Sequence, residues 1–65
     1  MILKALGFKY KAQIAEAKAN IQVYLDNPVG IGEHPDIVAA VDEQITKLAE
    51  AEDKLESLER IIKND

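Results

Sequence analysis

Apolar side chains recur at three- and four-residue steps along two long stretches of this 65-residue chain. Between them lies Asn27 to Asp36, N-P-V-G-I-G-E-H-P-D, which holds both prolines and all but one of the glycines. At 100° per residue, Leu3, Gly7, Tyr10, Ile14, Ala17, Ile21 and Tyr24 fall on one side of a first helix. Ile37, Val41, Gln44, Leu48, Ala51, Leu55, Leu58 and Ile62 form the matching stripe of a second, close to a heptad repeat, with Val38 and Ile45 beside it. The pattern predicts an all-α fold, a single antiparallel two-helix hairpin over residues 1–65. Its helices run over about 2–26 and 35–63, and its loop over 27–34. A first helix starting only at Tyr10 would be about 25 Å long against about 42 Å for the second. The mismatch extends helix 1 back to about Ile2, with Gly7 inside it at a cost of about 1 kcal/mol relative to Ala.

Helix 1 carries a second apolar face opposite the first: Ala5, Phe8, Ala12, Ala15, Ala19 and Val23. Two opposed faces need two neighbours, and a lone hairpin supplies one. The alanine-rich face therefore predicts an assembly interface with a closely approaching helix, and hairpins that build a four-helix bundle or a larger helical oligomer, a dimer being favoured. Antiparallel pairing about the loop sets Tyr24 against Val38, Ile21 against Val41, Ala17 against Ile45, Ile14 against Leu48 and Gly7 against Leu55. Glu52 and Glu59 interrupt the apolar stripe. A carboxylate buried there needs a partner, so Glu52 is expected at the Tyr10 hydroxyl or the Lys11 ammonium, unless both acids lie at the seam edge in water.

Asn27-Pro28 stops helix 1, because a residue before proline leaves the α region and proline donates no hydrogen bond. Pro35 as the first helical residue, with His34 or Glu33 near the cap and Asp36 in the first turn, is the expected start of helix 2. The outer face of helix 2 holds Glu43-Lys47, Glu50-Lys54, Glu56-Arg60 and Glu59-Lys63, each worth about 0.2–0.5 kcal/mol in this orientation.

Candidate chemistry is sparse. Gly30 and Gly32, with the first N–H groups of helix 2, form a candidate anion cradle, opposed by the charges of Glu33 and Asp36. His34 between those acids has the donor types of a metal or proton-transfer site, but one loop offers too few convergent groups, and no metal is expected. Glu50, Asp53 and Glu56 recur at helical spacing, as in all-helical Mg²⁺ sites, yet basic residues sit four positions after two of them. No nucleophile stands with a base, so no enzyme activity, catalytic residue or cofactor is predicted.

Charge and composition narrow the partners. Residues 1–33 hold four lysines against three acids, and residues 34–65 nine acids against four basic side chains. The net charge of −4 argues against nucleic acid or an anionic membrane as a partner, since both require a clustered cationic face. With no cysteine there is no disulfide framework, and a domain this small buries only about 60% of its unfolded surface. Association is the remaining route to stability. The apolar start, Met1 to Phe8, is too short for a signal segment and runs into Lys9 and Lys11, so a cytoplasmic protein is expected.

The segments Leu25-Asp26-Asn27-Pro28-Val29-Gly30-Ile31-Gly32-Glu33-His34-Pro35-Asp36 and Ala49-Glu50-Ala51-Glu52-Asp53-Lys54-Leu55 carry a resemblance. From about Phe8 to Ile62 the chain resembles short, functionally unassigned proteins of tailed, myovirus-like bacteriophages. The resemblance implies a viral protein acting in the host cytoplasm and assigns no site residues. The expected function is a small phage accessory protein, an oligomeric interaction module that engages a host or phage protein through a helical face or the Val29-Ile31 loop tip. The alternative is an oligomeric protein that sequesters a small anionic metabolite or nucleotide signal between subunits as a counter-defence, with Gly30, Gly32, Lys9, Tyr10 and Lys11 as contacts. Mimicry of nucleic acid by the acids of helix 2 ranks third, because Lys and Arg are interspersed.

Overall fold

The computed structural model describes residues 1–27 and 36–64 and holds two α-helices, α1 (Ile2–Asp26) and α2 (Ile37–Lys63), packed against each other. The first turn of α1 closes with the Ala5 N–H donating to the Met1 carbonyl at 3.0 Å. Gly7 lies within the helix. At the far end the Asn27 N–H donates to the Val23 carbonyl at 3.0 Å, while Asn27 itself leaves the helical region at φ −143° and ψ 61°, as a residue before proline is disposed to do.

The start of α2 differs from the expectation. Its first residue is Ile37, and Asp36 is the cap, its carboxylate accepting from the Ala39 N–H at 2.9 Å. Asp36 has non-helical backbone, φ −124°, which aims a short acidic side chain at the third N–H of the helix and satisfies a donor that has no partner within the helix. Glu33, His34 and Pro35, the expected cap and first residue, lie outside the described residues. Arg60 and Lys63 occupy the last turn, where positive charge suits the carbonyl end of the helix dipole.

The helices run antiparallel, in a register two to three residues further along α2 than expected. Gly7 stands opposite Leu58, not Leu55: a β-carbon there would lie 3.6 Å from Leu58 Cδ2. Asn20 Nδ2 donates to Gln44 Oε1 at 3.1 Å, and the Lys54 ammonium sits 5.9 Å from the centre of the Tyr10 ring. Lys54, not Glu52, therefore meets Tyr10; Glu52 and Glu59 are exposed, as the seam-edge reading has it. Two of the expected pairs on α2 close, Glu43–Lys47 at 3.7 Å and Glu56–Arg60 at 2.9 Å. Arg60 also donates to Ser57 Oγ.

The inner stripe of each helix is turned to its neighbour, but the resulting core is thin. Among the described residues the buried side chains are Ala17 and Ala51, each 2% exposed, Leu58 and Gln44. Tyr10, Ile14, Ile21, Val41, Leu48 and Leu55 are half-buried, and Ile62 is exposed. Two cylinders touch along a line, so side chains flanking that line keep one side in water. The radius of gyration is 14.9 Å, against about 11 Å for a compact chain of this length.

Candidate interaction surface

Heptad spacing divides the surface of the pair into faces. On α2, Ile37, Gln44, Ala51 and Leu58 point at α1; Val41, Leu48, Leu55 and Ile62 follow on one side; Val38, Ile45, Glu52 and Glu59 lie beyond them. On α1 the corresponding order is Leu3, Tyr10, Ala17 and Tyr24, then Gly7, Ile14 and Ile21, then Lys4, Lys11, Lys18 and Leu25. The two ordered series open on the same flank. At the chain ends this flank forms a groove of about 270 Å³ between Lys4, Gly7, Lys11, Leu55, Glu59 and Ile62. Near Asp36 it widens into an apolar concavity of about 390 Å³ bounded by Leu25, Val38, Val41 and Ile45. Val38 is 80% and Leu25 64% exposed.

The opposite flank is polar through its middle. Its groove, about 290 Å³, is bordered by Gln13, Glu16, Gln44, Lys47, Glu50 and Lys54, and the Asn20–Gln44 hydrogen bond crosses the seam in the same part of the hairpin. Towards the chain ends it turns apolar, at Leu6 and Ile61.

The alanine row of α1 faces away from α2. Ala5, Phe8, Ala12, Ala15, Ala19 and Val23 are all exposed, Phe8 by 61% and Val23 by 58%. Phe8 reaches the edge of the apolar flank, lining the groove that Gly7 leaves open.

Lys9, Tyr10 and Lys11 do not converge. Successive helical residues diverge by 100°: Lys11 borders the apolar flank, Tyr10 the opposite one beneath Lys54, and Lys9 is exposed. Val29, Gly30, Ile31, Gly32 and His34 lie outside the described residues, so the proposed loop contacts have no geometry here. Among the described residues no cluster of three or more His, Cys, Asp or Glu is arranged to hold a metal ion, and no helix is long and apolar enough to cross a membrane.

The chain matches no family model, no curated protein and no solved structure.

The apolar flank was the feature that the helix-by-helix pattern missed. Val38 and Ile45 read as neighbours of the α2 stripe, and on a helical wheel Lys4, Lys11 and Lys18 lie along one border of the alanine row. Only the observed register sets these columns side by side as one surface. The signal was nevertheless present, because Val38, Val41, Ile45, Leu48, Glu52, Leu55, Glu59 and Ile62 form an uninterrupted series of alternating three- and four-residue steps.

Proposed function

We propose that this chain is a non-enzymatic helical interaction module that self-associates and, as an assembly, engages a protein target. The observation that carries the reading is the incomplete core: no large apolar side chain among the described residues is less than 2% exposed, and Ile2, Phe8, Val23, Leu25, Val38 and Ile61 are more than half exposed. A hairpin with this much apolar surface in water gains free energy from a neighbour, at roughly 25 cal/mol per Å² covered. Acidic charge on the outer face of α2 keeps that neighbour selective, since like-charged surfaces repel. The resemblance of the Asn27–Asp36 segment and of Ala49–Leu55 to phage proteins supports a role in an infected bacterium, with a host or phage protein as the target in the cytoplasm.

Static light scattering or native mass spectrometry of the purified chain tests the reading. A particle mass of at least twice the 7.2 kDa chain is expected. A chain that stays at its single mass at all concentrations contradicts it.

A further inference from the structure

Resting on that self-association, we infer that the occupant of the apolar flank is a second copy of this chain, related by a two-fold axis parallel to the helices, so that α1 of each copy packs on α2 of the other. Area, side-chain chemistry and charge each bear on this arrangement.

The area fits. The hairpin exposes 5110 Å², whereas a compact monomer of 7.2 kDa would expose roughly 4,100 Å². The excess, about 1,000 Å², is close to the ~800 Å² that each partner buries in a stable interface. The flank also holds the side chains that need covering. Ile14, Ile21, Val41, Leu48 and Leu55 are half-buried in the hairpin, and one further layer of helices would complete their burial as in a four-helix bundle. The polar flank, with Gln13, Glu16, Lys47 and Glu50 along its groove, offers no such gain.

Charge selects the axis. Lys4 and Lys11 edge the flank on α1, Glu59 and Glu52 edge it on α2, and the Gly7–Leu58 and Asn20–Gln44 contacts set each lysine level with its acid. Among the described residues none of these four is in an ion pair; the ion pairs there lie along α2. A two-fold axis parallel to the helices brings Lys4 to the partner's Glu59 and Lys11 to the partner's Glu52. It also lays Leu25 on the partner's Val38. A two-fold axis across the helices instead puts α1 on α1, with Lys11 over the partner's Lys18 and Glu59 over the partner's Val38. The first arrangement matches three of the four layers and leaves Lys18 level with the partner's Ile45, where the lysine stem can lie along the hydrocarbon with its ammonium in water; the second opposes charge to charge and charge to hydrocarbon. Matching of this kind fixes register more than it adds affinity. The alanine row of α1 stays outside the dimer, available to the target protein.

Site-specific crosslinking tests the geometry, because the chain has no cysteine of its own and introduced thiols are unique. A Lys11→Cys chain mixed with a Glu52→Cys chain and a short bis-maleimide is expected to give a covalent dimer, absent when either chain is treated alone. Mixtures of Lys11→Cys with Lys18→Cys, or of Ala12→Cys with Ala15→Cys, are expected to give none. All these positions are exposed, and retained helicity by circular dichroism checks each variant. A covalent dimer from Lys11/Lys18 or Ala12/Ala15 in place of Lys11/Glu52 overturns the arrangement and leaves self-association standing. A monomeric unmodified chain overturns both. Leu48→Glu provides a second readout: it is expected to reduce the native mass to that of one chain, whereas Ala15→Glu leaves it unchanged, and the reverse pattern contradicts the assignment.

Discussion

Asn20 and Gln44 join the two helices through a side-chain hydrogen bond of 3.1 Å, with Gln44 only 8% exposed. This pair sits in a seam otherwise lined by Ala17, Ala51, Ile21 and Leu48, and that setting gives it leverage. Apolar contacts tolerate sliding by a turn; a directional hydrogen bond inside them does not. A single polar residue at a core position is the best-attested device for fixing helix register.

Replacing Gln44 with alanine removes the acceptor and opens space beside Ala17. The half-buried Asn20 amide can still turn to water, so the expected cost is about 1–2 kcal/mol, not the full penalty of an unsatisfied buried group. Urea denaturation at fixed protein concentration measures it. Gln44→Leu is expected to recover most of the stability while loosening register, seen as broadened amide resonances.

Gly7 is a position for gain. A β-carbon there would make ordinary contact with Leu58 Cδ2 at 3.6 Å, and the glycine lies within α1. Gly7→Ala is expected to stabilise the fold by up to about 1 kcal/mol, raising Tm by several degrees in a thermal melt. A lower Tm would show that the site has no room for the methyl group.

At the start of α2 the Asp36 carboxylate satisfies the Ala39 N–H. Asp36→Ala is expected to cost about 1 kcal/mol and Asp36→Ser much less. Comparing their thermal melts separates loss of the cap from a general effect of substitution at this position.

The exposed pairs on α2 are predicted to matter little. In Glu43–Lys47 and Glu56–Arg60 every side chain is more than half exposed, and such pairs contribute about 0.3–0.5 kcal/mol, screened by salt. Lys47→Ala is expected to leave the denaturation midpoint nearly unmoved at 0.15 M salt, a condition in which the Debye length is about 8 Å.

The hairpin was legible in the chain because stripe residues from Leu3 to Tyr24 and from Ile37 to Leu58 keep a regular three- and four-residue spacing, and that periodicity survives any choice of loop conformation. Register was less so. Symmetric counting from the middle of the loop set Gly7 against Leu55, but the packing of Gly7 on Leu58 and of Asn20 on Gln44 depends on how side chains interlock, which spacing alone leaves open. The cap moved for a related reason: His34, Glu33 and Asp36 are all polar residues near a proline, and only backbone geometry decides which one reaches the Ala39 N–H. Lys54 had two suitors, Glu50 one turn back and the Tyr10 ring across the seam, and a helical wheel displays only the first. The apolar flank is shared between two helices, so neither wheel contains it.

The measurement that bears most directly on the central claim is the thermal melt of the unmodified chain, followed by circular dichroism over a wide range of protein concentration. If a second copy completes the core, Tm rises with concentration, because association draws the folded state forward by mass action. A Tm that stays constant from micromolar to millimolar chain would contradict the account: the hairpin would then be a complete fold and its apolar flank would have no copy of itself to bind.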